Sequence, residues 1–418
     1  MDASVTAGSG PPRHIVAILL CIIPLSQIPL DVYTPALPQM VTDLASTPAA
    51  LQGTVTVYML GLAIGFIPVG VMADAWGRKR VLLTCLTVVV ATSVLCAIAP
   101  NVTFLLVARF LQGLAACACM VLSYAVAADC FRGTKLTSVS GILGAAWGLA
   151  PVIAPAVGGV LVQYTTWRVV FALVAALAAL VAVLVATAMP ETLESGNRTP
   201  IVARATSKAV ADTVRNPVFG CFVLVFGLLA AAQLAFGVAG PFLYQEGLGF
   251  APAAYGAIAL AVGAANLLGE LACGYFAVRT STRKLAFSAF GLFGAGTAVL
   301  VVSAMTVGLD AWALTIGAAL ALAGCGVLCP QMYGLALGLF TRNLGLVGGI
   351  ASAGCYLTVS LALAAVGVLP ENDQGTLGWL YVACGVTAFA LLAWATSSRR
   401  NALAASQSEP SQPLREKS

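Results

Sequence analysis

Apolar stretches of 19 to 27 residues alternate with short polar breaks along the whole chain. An apolar run of about 20 residues is long enough to cross a bilayer as a helix. The pattern predicts twelve such helices, over residues 15–38, 50–72, 81–99, 103–128, 137–163, 168–189, 217–240, 253–277, 284–308, 311–334, 344–369 and 375–396. The longest internal polar break, "PETLESGNRTPIVARATSKAVADTVRNP", falls between the sixth and seventh. The expected fold is therefore an all-α membrane protein of two six-helix halves, 1–189 and 217–400. A linker (190–216) joins the halves and a disordered tail (401–418) follows.

Composition sharpens this reading. Of 418 residues 60% are hydrophobic and only 8% charged, against roughly a quarter charged in soluble chains. The net charge of +5 does not indicate a nucleic-acid partner, because the basic residues follow topology. Eighteen of the 20 Lys and Arg lie in the two tails or in loops after even-numbered spans, Arg168 alone on the other face and Arg109 within a span. By the positive-inside rule both termini are expected in the cytoplasm. Residues 1–14 carry no secretory signal pattern, so Met1 is expected to be the uncleaved start. Twelve scattered cysteines and a single histidine, His14, give no metal-ligand spacing, and no cofactor is expected.

Charges within the spans are the candidate chemistry. In "SQIPLDVYTPALPQM" (26–40) Asp31 sits among Pro29, Pro35 and Pro38, with Pro24 just upstream. Arg109 lies near the start of span 4, at a depth similar to that of Asp31, and Glu270 lies in the inner half of span 8. Ionisable residues in a membrane are costly unless paired or facing water, and so are functional candidates. Asp31 and Arg109 are expected to belong together, with Asp31 carrying the exchangeable proton because arginine stays charged. The alternative is a static pair that fixes helix packing. Glu270 is either a second proton or cation site or a helix-end acid reaching the surface. Tyr33, Tyr58, Tyr124, Trp147, Gln233, Phe236, Asn266, Tyr333 and Tyr356 are candidates to line a permissive, mostly apolar substrate pocket.

The halves echo each other. "GVMADAWGRKRVLL" (70–83) after span 2 corresponds to "GYFAVRTSTRKLAF" (274–287) after span 8. Such parallel repeats are expected of carriers whose halves rock about a midplane site. Gly70, Asp74, Gly77, Arg78 and Lys79 in the first string resemble the loop motif of the major facilitator superfamily, and the resemblance spans all twelve helices. It implies a cytoplasmic latch that holds an outward-facing state. Arg109, Gln112 and Gly113 resemble the R-x-x-Q-G of proton-coupled members. Gly144, Gly148, Pro151, Pro155, Gly158 and Gly159 resemble the antiporter motif of exporters, with Ala154 where glycine is usual. "LDVYTPALPQM" and "LPENDQGTLG" are similar to the Bcr/CflA, EmrD-like drug-resistance branch.

The resemblance implies a monomeric drug:proton antiporter of a bacterial inner membrane, with protons, small molecules and membrane lipid as its partners. A proton-coupled metabolite transporter on the same fold is the alternative. An enzyme or scaffold is disfavoured, because the chain shows no nucleophile–base pair and no phosphate loop.

Overall fold

The computed structural model describes residues 14–193, 198, 210–340, 344–366 and 373–397. The tail expected over 401–418 and most of the linker expected over 190–216 lie outside them. Twelve helical spans are present, as the hydropathy pattern predicts. They are α1 Ile15–Asp43, α2 Pro48–Trp76, α3 Arg78–Ala97, α4 Val102–Cys130, α5 Gly133–Tyr164, α6 Trp167–Ala188, α7 Pro217–Gly247, α8 Pro252–Phe276, α9 Thr282–Thr306, α10 Ala311–Leu337, α11 Leu344–Val366 and α12 Gln374–Ala395. Among the described residues no group of His, Cys, Asp and Glu is arranged to hold a metal ion.

Polar residues at the edges of the apolar runs start many of these helices. Side-chain oxygens of Thr47, Asn101, Asn216, Ser281, Asp310 and Asp373 accept hydrogen bonds from the first free backbone N–H groups of α2, α4, α7, α9, α10 and α12. Several spans overrun their apolar cores for this reason. Span 7 departs most: it was expected to end at residue 240, yet Pro241 lies inside α7. The helix continues through a π-type turn, Phe242–Gly247. Pro241 has no N–H to give to the carbonyl one turn earlier, so the α ladder is already interrupted where the π-type turn begins.

Within each half the same helices touch. Pairs α2–α4, α3–α4 and α3–α6 in the first half match α8–α10, α9–α10 and α9–α12 in the second. A close approach in each half uses a pair of glycines. Gly61 and Gly113 lock α2 to α4, and Gly269 and Gly326 lock α8 to α10; in each case a Cβ would overlap backbone atoms of the facing helix. With little hydrophobic drive between helices in lipid, such backbone proximity is what holds them together. The halves meet along two further pairs, α2–α11 and α5–α8, which the repeat makes equivalent to each other, and also where α1 touches α7 and α8.

Candidate functional site

The prolines of α1 break it into short pieces. An α segment, Ile15–Ile22, gives way to a 3-10 turn at Ile23–Ser26, then to one α turn, Ile28–Asp31. A second 3-10 turn at Thr34–Ala36 precedes the last piece, Leu37–Asp43. Irregular backbone at this depth needs acceptors and donors from its surroundings, and side chains supply them. Tyr58 donates to the Ser26 carbonyl at 2.8 Å, Arg109 to the Pro29 carbonyl at 2.8 Å and Thr34 to the Asp31 carbonyl at 2.9 Å. Gln245, from the other half, donates to the Pro35 carbonyl at 2.9 Å.

Arg109 is fully buried among these pieces. Its Nη1 also donates to Gln112 Oε1 at 2.6 Å, and Gln112 Nε2 donates to Ser93 Oγ at 2.7 Å, which carries the network into α3. The guanidinium carbon lies 4.5 Å from the centre of the Tyr33 ring and 4.3 Å from that of Tyr58. Tyr33 and Tyr58 are themselves fully buried, with Tyr33 hydrogen-bonded to Thr54 at 2.7 Å. The sequence marked these two tyrosines as pocket lining. Instead they form the aromatic walls around Arg109, where a cation facing an aromatic ring gains about 0.5–2 kcal/mol.

Asp31 is buried on the same stretch, two residues beyond the carbonyl that Arg109 holds. The expected pairing is only half met. The two charges share one pocket but form no ion pair: Arg109 Nη1 donates to Pro29 and Gln112 and the guanidinium faces the two rings, while its Nε and Nη2 are buried without a partner. Asp31 Oδ2 is buried and accepts no hydrogen bond. The carboxylate is therefore held near a permanent cation with an oxygen left unused.

The remaining candidates fall into two groups. Tyr356 is buried on α11 and stacks on Phe66 of α2, ring centres 5.5 Å apart, so this contact bridges the halves. Tyr333 packs on Phe226 of α7, ring centres 5.9 Å apart, with its hydroxyl beside Gly348 of α11, and Tyr124 faces Gly144 of α5. Phe236 instead packs edge-on against Tyr244, inside the second half. Gln233 is partly buried on α7.

At the α5–α8 seam Asn266 donates to Glu270 at 3.0 Å, the one-turn contact their spacing predicts. Glu270 lies against α5, where a Cβ on Gly148 would come within 2.9 Å of its Oε2. Buried polar atoms without partners lie on these same two helices: Asn266 Oδ1 and the indole nitrogen of Trp147. Glu270 therefore faces the seam between the halves rather than a free helix end.

The glycine-rich face of α5 serves both partners. Gly158 admits the Val32 carbonyl of α1 so closely that any side chain would collide with it, and Gly159 lies against the Pro252 carbonyl of α8. Pro151 and Pro155 are inside the helix, and the Pro155 carbonyl faces Gly256 of α8. Gly144 lies beside Tyr124, with a Cβ position 3.6 Å from its hydroxyl.

The loop expected to be a latch is a closed ion cluster. Arg78 pairs with Asp74 at 2.5 Å and with Asp129 at 3.1 Å. The backbone N–H groups of Arg78 and Lys79 donate to the Glu191 carboxylate at 2.8 and 3.2 Å, and Lys79 Nζ donates to the Ala186 carbonyl at 2.9 Å. Gly77, at φ +100°, makes the turn. Gly70, one face over, has only Val121 near its Cβ position. Sequence reasoning missed Asp129 and Glu191. The available signal was that they are acids at the ends of spans 4 and 6, on the face where basic residues dominate. All these contacts lie within the first half and the start of the linker. Hydrogen bonds between the halves cluster toward the opposite end, from Gln245 to Pro35, from Ala253 to Gln163 and from Ser360 to Thr56.

Comparison with known proteins agrees with this geometry. The family model described as Major Facilitator Superfamily matches residues 19–362. The uncharacterized MFS-type transporter YdgK of Bacillus subtilis (strain 168) is 30% identical over 271 residues, covering 64% of this chain and 67% of that protein. Multidrug resistance protein MdtL of Escherichia coli O157:H7 is 28% identical over 378 residues, 88% of this chain and 92% of that one. Among solved structures, the partially occluded inward-open xylose transporter XylE from E. coli superposes with a TM-score of 0.72 at 16% identity. It covers 92% of this chain and 98% of its own.

Proposed function

The chain belongs to the major facilitator superfamily, a multi-pass membrane transporter and not an enzyme, and from that premise we propose that it exports small, mostly apolar compounds in exchange for protons. The observation that carries the proposal is Asp31, a buried carboxylate with an unpartnered oxygen on the broken span α1. It lies beside an arginine of which only Nη1 is hydrogen-bonded, to Pro29 and Gln112. Asp31 holds the proton; a substrate arriving from the cytoplasm displaces it, and release outward lets a proton return. Arg109 fixes the backbone pieces that present Asp31 and supplies the standing positive charge of the pocket. Tyr124, Tyr333 and Tyr356 offer rings and hydroxyls to a substrate between the halves. The similarity to the multidrug resistance protein supports export of drug-like compounds and a bacterial inner-membrane setting. The contacts Gln245–Pro35 and Ala253–Gln163 close one end; in this reading that end is periplasmic and the conformation faces the cytoplasm.

The test is energised uptake of ethidium into everted membrane vesicles, alongside a susceptibility panel in a pump-deficient host. Wild-type accumulation should collapse on adding an uncoupler. Asp31→Asn should abolish uphill accumulation yet retain downhill exchange, because the amide keeps the shape but releases no proton. Uncoupler-sensitive accumulation at the wild-type level by Asp31→Asn would move the coupling role to Glu270.

A further inference from the structure

The two halves treat their matching basic turns differently. In the first half Asp74, Asp129 and Glu191 surround the turn at Gly77–Arg80, and Glu191 caps the N-terminus of α3. Lys79 then bridges to the end of α6 through the Ala186 carbonyl. In the second half the aligned string places Val278 where Asp74 stands, and Arg283 and Lys284 where Lys79 and Arg80 stand. Among the described residues no carboxylate pairs with Arg279, Arg283 or Lys284. Arg279 instead donates to the Tyr275 carbonyl, and Arg283 lies over the Phe287 ring at 5.6 Å. Ser281 alone caps α9, accepting from Lys284 N at 3.4 Å.

Among the described residues nothing closes the gap that Glu191 and Lys79 close in the first half. Between the start of α9 and the end of α12 lies a cavity of about 720 Å³, walled also by α7 and α10. Phe222, Phe287, Phe290 and Phe389 form its apolar part, and Arg283 and Gln331 its polar part. Gln331 donates to the Thr282 carbonyl at 3.1 Å, but its Oε1 is buried without a donor.

We propose that this cavity binds an anionic phospholipid of the glycerol headgroup type from the adjacent leaflet. Its phosphate takes the place at α9 that the Glu191 carboxylate holds at α3, an anion at a helix N-terminus beside free cations. An acyl chain lies among the four phenylalanines, and a headgroup hydroxyl donates to Gln331 Oε1. The charge around the site selects the occupant: Arg283 and Lys284, which pair with no carboxylate among the described residues, favour an anionic over a zwitterionic lipid. The volume lies within the roughly 300–1,000 Å³ range of small-ligand sites, enough for a headgroup and the upper part of one chain.

Native mass spectrometry of the detergent-purified full chain tests this, by titration with dioleoyl phosphatidylglycerol or dioleoyl phosphatidylcholine. Phosphatidylglycerol should be retained in preference, by about five-fold for each contributing cation. The double variant Arg283→Gln/Lys284→Gln, which changes only exposed side chains, should lose most of that preference. Ala286→Phe, which fills the cavity, should release both lipids while keeping a monodisperse elution profile. Lys135→Gln, an exposed basic residue of the same face in the first half, should change nothing. Equal retention of the two lipids by the wild type, or an undiminished preference in the double variant, would overturn the proposal. So would an equal loss in Lys135→Gln, which would mean generic surface charge. Stronger phosphatidylglycerol retention after removal of residues 401–418 would assign the cavity to the chain's own tail instead.

Discussion

Asp31 and Arg109 are both buried charges, but their surroundings assign them different kinds of work. Arg109 holds two hydrogen bonds and faces two rings, so Arg109→Ala should lower thermal stability as well as transport. Hydrogen bonds to a charged group contribute about 1.5–3 kcal/mol each, and the loss should be on the order of 3 kcal/mol in detergent unfolding curves. Arg109→Lys keeps the charge but not the planar fork, and should recover part of each. Asp31 behaves oppositely. Its Oδ2 has no hydrogen-bond partner to lose and the amide has the same shape, so Asp31→Asn should leave the unfolding midpoint within about 2 °C of wild type, while uphill transport disappears. An Asp31→Asn protein destabilised as much as Arg109→Ala would make Asp31 a packing residue. The sequence marked both charges as functional, because lipid tolerates no idle ones. It did not show that they would avoid each other. That outcome depends on the carbonyl of Pro29, which only the broken geometry of α1 turns toward Arg109. The same is true of Tyr33 and Tyr58, whose positions read as pocket lining until the rings are seen closing on the guanidinium.

At the scale of elements, α5 and the turn before α3 carry the testable consequences. Gly158 leaves no space for a Cβ against the Val32 carbonyl, whereas Gly141 on the same helix has nothing within 4 Å of its Cβ position. Gly158→Leu should therefore abolish transport and reduce the folded yield, and Gly141→Leu should be tolerated in both assays. If both were tolerated, α5 would not be a close-packed element of the cycle. At the turn, Glu191→Gln removes the carboxylate that caps α3, an interaction of about 0.3–1 kcal/mol. Transport should fall while the protein stays in the membrane, as for Gly77→Leu, and full activity in both would reduce the loop to an ordinary turn. The spans were legible because the bilayer dictates their length and composition; their polar caps, such as Asn101 and Asp310, lie just outside the apolar runs from which the spans were read. The continuation of α7 through Pro241 was not, since a π-type turn leaves no pattern in hydropathy. Nor was Glu191 legible as the cap of α3, because 113 residues separate it from Arg78.

For the whole molecule, the repeat explains where the halves touch. The pairs α2–α11 and α5–α8 are the same contact generated twice, and a rocking motion must use both as its bearings. The closed end is then the part of the interface that has to open. There Ala253 N donates to Gln163 Oε1 at 3.2 Å and Gln245 donates to the Pro35 carbonyl. A cross-link at this end should trap the conformation described. Twelve free cysteines are present, of which Cys21 is exposed and Cys130 partly so, so the experiment begins from a background with both replaced by Ser. Gln163→Cys/Ala253→Cys in that background should lose energised transport on mild oxidation and regain it on reduction, with each single variant insensitive to oxidant. Substrate should still reach the oxidised protein from the Arg78 end, so equilibrium binding of ethidium to purified protein should persist. A cross-linked protein that continued to accumulate ethidium in everted vesicles would show that this end need not open. Alternating access about the α1 site would then fail, whatever the fate of Asp31.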